Sequence, residues 1–185
     1  MSSKTSSSII WNQGTLTIKN GKVIHRNEED NKAYSVIINE GSLTADGLEL
    51  KNEYGRAITA RSNSTRTNVT HCTLYSGKGS TECTLVLQAD ARIADCSITN
   101  IGEIVNAVAI CFVRDTDDEP PHTLTIGGNT TVEQYIAAVS GCTYKIAVEE
   151  GCTFDPAEHL YENHTIEQTG NRTWTVTHNS PSSED

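Results

Sequence analysis

A degenerate repeat constrains this chain more than any other feature. A branched apolar residue is followed three positions on by a small or turn residue, and two positions later by another apolar residue. Copies fall at Ile18, Gly21 and Val23; Ala45, Leu48 and Leu50; Val69, Cys72 and Leu74; and Ile93, Cys96 and Ile98. A looser copy is Ile126, Asn129 and Val132, and Val148, Cys152 and Phe154 carry one extra residue. Val176 to Asn179 ends the series. The middle positions, 21, 48, 72, 96, 129, 152 and 179, are separated by 27, 24, 24, 33, 23 and 27 residues. A period in the twenties is what one solenoid coil of three short strands and three corners requires. The expectation is an all-β chain folded as a right-handed parallel β-helix of about seven coils over residues 8–179. Residues 1–7 are expected to form a flexible lead and 180–185 a disordered tail.

A second apolar segment precedes each copy, at Ile9 to Trp11, Tyr34 to Ile38, Ala57 and Ile58, Cys83 to Leu87, Ala107 to Val113, and Tyr135 to Val139. These are strand-length and rich in β-branched residues. Gly14 and Gly41 stand at equal offsets before Leu16 and Leu43, where a corner asks for a residue free to take positive φ. Asn52, Ser76 and Asn100, spaced by 24 and 24, predict a stack of small polar side chains at another corner. The one long step holds Arg114 to His122 with two adjacent prolines, which a central strand excludes, so a loop leaves the coil there. The competing architecture is an antiparallel β-sandwich. Asn20 with Gly21 and Asp46 with Gly47 suit its hairpin turns, but His71 with Cys72 and Asp95 with Cys96 do not. Both ends of a solenoid need covering. Ala157 to Asn171 is the expected lid at one end, and self-association into a homo-oligomer is the alternative.

Hydrophobic residues are 36% of the 185, with two Phe, two Trp and one Met. That is lean for a sandwich and adequate for a thin column of Val, Ile and Leu. The net charge of -10 argues against nucleic acid, which recruits Lys and Arg to its phosphates, and against anionic membranes. No apolar run is long enough to span a bilayer, and the Ser-rich start has no apolar h-region of a signal peptide.

Chemistry is sparse. The six cysteines read best as reduced core thiols, since Cys72, Cys96 and Cys152 share one coil position, although neighbouring coils would allow a Cys72–Cys96 bridge. No Cys-x-x-Cys or His cluster suggests zinc, and no metal or cofactor is expected. His71 adjoins Cys72, but in a strand the two point apart, so no nucleophile and base are paired. Asp115, Asp117, Asp118 and Glu119 crowd four carboxylates into five positions beside His122; they are the candidate ligand-binding residues, as a cation or acid/base loop. Glu28, Glu29 and Asp30 read as a solvated acidic corner. Asp90, Arg92 and Asp95 come nearest to a lyase set, but Arg92 and Asp95 face apart unless a corner intervenes. No catalytic residue is assigned.

The segments Leu16 to Gly21, Asn68 to Leu74 and Arg92 to Ile98 resemble the coils of the pectate-lyase-like superfamily of right-handed parallel β-helices, found in bacterial surface proteins, polysaccharide lyases and phage tailspikes. In those coils a Cys, Gly or Ser follows an Asn or Asp. The resemblance implies fold far better than activity. It leads to the expectation of a non-catalytic scaffold for adhesion, glycan binding or display on a bacterial surface or phage particle. The localisation implied is extracellular, cell-surface or virion, and the partners are carbohydrate or a host or cell-surface protein. The second expectation is a polysaccharide-active lyase or hydrolase, with carboxylates of neighbouring coils meeting in one groove.

Overall fold

A computed structural model of the chain describes residues 8–26, 34–77, 82–102, 108–114, 120–139 and 141–179. Two sheets wrap one apolar column. The first contains six parallel strands: β1 (Ile10–Asn12), β3 (Ser35–Asn39), β5 (Arg56–Ala60), β8 (Leu85–Leu87), β11 (Val108–Phe112) and β14 (Tyr135–Ala138). The second sheet starts with two eleven-residue strands, β2 (Thr15–His25) and β4 (Ser42–Asn52), that run through a bend. Later coils break at that bend into β6 (Arg66–Thr70) with β7 (Thr73–Ser76), β9 (Ala91–Ala94) with β10 (Ser97–Asn100), and β12 (Thr123–Gly127) with β13 (Thr131–Val132). β15 (Thr143–Val148) adds one more parallel strand above β12. The chain is thus a parallel β-solenoid, and the sandwich is excluded by the parallel pairing at every coil.

Register is set by the inward residues. Ile10, Ile37, Ile58, Leu85, Ile110 and Ile136 stack in one column, and Val23, Leu50, Leu74, Ile98 and Val132 in another. From the second coil to the fourth these residues have no solvent exposure. A slip of one residue would turn each column out to water, so burial fixes the pairing.

About five coils form, not seven. The sixth copy is cut short: after Cys152 the chain makes a 3-10 turn, Pro156–His159, instead of a further strand. The seventh belongs to no coil. Val176 lies in β17 (Thr173–His178), which pairs antiparallel with β15 and with β16 (His164–Gly170). This hairpin is the lid. Val176 is buried, and Ile166 and Trp174 pack on the core. Arg172 donates to the carbonyls of Val148, Glu149 and Cys152. The expected lid, Ala157 to Asn171, supplies half of it, with Leu160 bridged to Ile136. At the opposite end the first coil leaves Leu16, Ile18 and Val23 partly covered, and Ile9 and Trp11 are 47% and 60% exposed.

The corners differ from expectation in one respect. Neither Gly14 nor Gly41 has positive φ. Gly41 is required by close approach: an added Cβ would collide with the Gly14 carbonyl, which accepts the Ser42 N–H at 2.7 Å. Five left-handed residues line up elsewhere, at Asn20, Gly47, His71, Asp95 and Gly128, with φ of 51°, 65°, 51°, 53° and 58°. They occupy the bend of the second sheet in successive coils. The strand continues through Asn20 and Gly47, so neither makes a hairpin.

Candidate functional site

The acidic residues Asp115, Asp117, Asp118 and Glu119 lie outside the described residues, as do Glu28, Glu29 and Asp30. Among the described residues, grooves lie over both sheets, and one corner is charged.

The deeper groove crosses the outer face of the first sheet. Alternation that sends Ile37 and Ile58 inward turns Trp11, Ile38, Thr59, Val86 and Cys111 outward, in register from coil to coil. Ile38, Thr59 and Val86 floor a cavity of about 550 Å³. Ser35 and Arg56 form one side, and Glu40, Arg61, Ser62, Asn63, Gln88 and Val113 the other. The walls are braced. Arg56 reaches Glu82 Oε2 through Nε at 3.1 Å and Nη2 at 2.6 Å. Arg61 Nη1 donates to Glu40 Oε1 at 2.8 Å, and Gln13 Nε2 to Glu40 Oε2 at 3.0 Å. Hydrogen bonds from Gln13, then from Trp11 and Arg61, hold the Glu40 carboxyl below its usual range. The Arg61 guanidinium lies 5.8 Å from the centre of the Trp11 ring. A floor of mixed character with fixed polar walls and an exposed indole in the same column suits a ligand that carries both hydroxyls and flat apolar faces.

The shallower groove, about 440 Å³, lies over the second sheet between Thr65, Asn68, Asp90, Arg92, Thr123 and Thr125. Arg92 spans coils: Nε and Nη2 grip Glu149 at 2.6 and 2.9 Å, and Nη1 reaches Asn68 Oδ1 at 3.3 Å. Asp90 Oδ1 accepts the Thr123 N–H at 2.7 Å. The corner anticipated as a condition does intervene between Arg92 and Asp95. The left-handed bend at Asp95 brings both side chains to the outside, 41% and 40% exposed.

That bend carries the charged corner. His71 Nδ1 sits 2.8 Å from Asp46 Oδ1 on the coil before it, and Nε2 sits 3.7 Å from Asp95 Oδ2 on the coil after it. The hydrogen bond with Asp46 raises the His71 pKa, and the same bond, followed by that from Thr70, lowers that of Asp46. Cys72 is buried inside the bend while the His71 ring lies outside it, so imidazole and thiol do not meet. Inside the bend the thiols take over a backbone role. Leu48 N–H donates to Cys72 Sγ at 3.4 Å, Cys72 N–H to Cys96 Sγ at 3.5 Å, and Cys96 N–H to Thr130 Oγ1 at 3.3 Å. All six cysteines are free thiols. Among the described residues no group of three His, Cys, Asp or Glu side chains is placed to hold a metal ion.

No protein-family model, curated protein or solved structure matches this chain. Sequence reasoning missed the deeper groove. Its signal was the doublets Ile37 with Ile38 and Val86 with Leu87, where apolar residues occupy both faces of a strand whose outer face should be polar.

Proposed function

We propose that this chain is a ligand-binding β-helix whose first-sheet groove takes an extended carbohydrate, in an adhesive or display role on a bacterial surface or phage particle. The observation that supports this is the groove itself: a floor in which Thr59 lies between the apolar Ile38 and Val86, walls held in place by ion pairs, and Trp11 exposed along the same column. Sugars present C–H faces to apolar and aromatic surfaces and hydroxyls to Arg, Glu and Asn.

A glycan array probed with the labelled chain, followed by titration of the hits, tests the reading. Trp11 is one of two tryptophans, so binding is expected to change its emission. Trp11→Ala and Arg61→Ala are expected to weaken binding by roughly tenfold or more, as loss of a buried aromatic or Arg contact does. Arg66→Ala, beside the other groove, leaves affinity unchanged. Silence on the array, or equal loss in all three variants, overturns it. Release of new reducing ends from a bound glycan would move the protein to the enzymatic reading instead.

A further inference from the structure

The two ends of the solenoid are finished differently. At one end β17 pairs antiparallel with β15 and closes the parallel ladder. At the other, β2 pairs only with β4, so one side of an eleven-residue strand meets no strand among the described residues. The column behind it is open as well. Leu16, Ile18 and Val23 are partly exposed, whereas Leu43, Ala45 and Leu50, their partners on the next coil, have no exposure. Edge strands are commonly guarded by charges, above all lysines. β2 carries two, and the next coil answers both. Lys22 Nζ lies 2.6 Å from Glu49 Oε1, and Lys19 stands in register with Asp46. That weakens the guard.

We propose that this edge is the interface of a two-fold dimer, in which β2 of one copy pairs antiparallel with β2 of a second. A two-fold axis reverses strand direction, so a second copy supplies here the antiparallel strand that the hairpin supplies at the far end. β2 is complementary to itself in that arrangement. The left-handed Asn20 turns the strand, so the core-packed residues are Leu16 and Ile18 before it and Val23 after it. An axis between Asn20 and Gly21 sets Ile18 opposite the second copy's Val23. Inward residue then meets inward residue, and the two apolar columns join into one. The same axis sets Lys19 opposite the second copy's Lys22, a repulsion that Asp46 and Glu49 offset from within each chain. An antiparallel pair of this length forms about ten backbone hydrogen bonds, as many as a typical stable interface holds. This proposal is independent of the carbohydrate reading.

The test is sedimentation equilibrium of the purified chain over a concentration series, with amine cross-linking of an equal mixture of light and isotope-labelled chains. Expected is a monomer–dimer equilibrium, with peptides that join Lys19 of a light chain to Lys22 of a heavy one. Ile18→Glu, which puts a charge into the joined column, should weaken the dimer by roughly tenfold or more, with circular dichroism showing that the coils persist. Lys19→Glu, at an exposed position, turns the repulsion into an attraction at both symmetric places and should tighten the dimer by roughly fivefold. Should Ile18→Glu not fold, the cross-links and Lys19→Glu decide on their own. A chain that stays monomeric up to roughly 1 mM, the weak end of the affinity scale, overturns the proposal. So do dimers without the mixed Lys19–Lys22 link, and a Lys19→Glu dimer no tighter than the unaltered one.

Discussion

The solenoid turns its corners in two different ways, and the contrast shows where residue identity matters. At the corner closing the second sheet, Asn52 and Asn100 do the work with side chains. Asn52 Nδ2 donates to the carbonyls of Tyr34 and Arg56 at 2.9 and 3.0 Å, and its Oδ1 accepts the Tyr54 N–H at 3.1 Å. Two coils on, Asn100 repeats the pattern with Glu82, Val108 and Gly102, and Ser76 between them donates to Gly55. These residues are buried and none has positive φ. At the bend the backbone itself turns, through left-handed residues as different as Asn20, Gly47, His71 and Asp95. There the outer side chain is free to vary. The inner position must supply an acceptor for an N–H the ladder has lost, and Cys72, Cys96 and Thr130 do so.

The sharpest break between the two corners is Asn52→Ala. It strands two carbonyls and one N–H at a buried site, each orphan costing about 1 kcal/mol or more, so a loss of about 3 kcal/mol is expected in urea unfolding. A loss under about 1 kcal/mol would mean that water replaces the amide, and the corner would not depend on its side chain. Next comes Cys72→Ala, which orphans the Leu48 N–H and opens a small cavity, for about 2 kcal/mol. Cys72→Ser keeps an acceptor in place and should recover at least half of that. Equal destabilisation by the two variants would show that the thiol acts by volume alone.

These devices were unequally visible beforehand. The coil stack was legible at Leu50, Leu74 and Ile98 and at Asn52, Ser76 and Asn100, because identical spacing and similar size repeat in both sets. What those asparagines do was not legible: they bond to backbone carbonyls and take no left-handed φ. The count of coils was not legible, because Val176 satisfies an apolar spacing equally well in an antiparallel lid strand. The left-handed bend was hidden because Asp and His, although they visit positive φ more readily than most L-residues, sit in extended strands as well. The deeper groove was hidden because Ile37 and Ile38 are the same residue with opposite destinations.

A smaller effect tests the bend's tolerance from the backbone side. Gly47 has φ of +65°, and a Cβ there would stand 2.5 Å from Asn20 Oδ1. Gly47→Ala should cost about 1–2 kcal/mol, the ordinary cost of a left-handed L-residue. Asn20→Gly, which relieves the contact, should restore part of it in the double variant, read from the urea midpoints of the cycle. Strict additivity would remove Asn20 as the cause.

The least effect expected is electrostatic, and it belongs to the outer surface of the bend. His71 faces Asp46 and Asp95, with Thr70 on the same carboxylate and Lys19 acting on it. Its folded pKa is raised above the ordinary 6.5, chiefly by the hydrogen bond to Asp46. The protonated ring is thus bound more tightly in the fold than in the unfolded chain. Its contribution is fully present below pH 6.5 and fades as pH rises from there through the folded value. The side chain is 66% exposed, so solvent keeps the contribution small. Melting temperature followed against pH should therefore decline slightly above pH 6.5, more in the unaltered chain than in Asp46→Asn, with added salt shrinking the difference. Parallel curves for the two chains would show that the carboxylate–imidazole contact adds nothing to the fold. The bend would then be held from its inner side alone, by the thiol and hydroxyl acceptors of Cys72, Cys96 and Thr130.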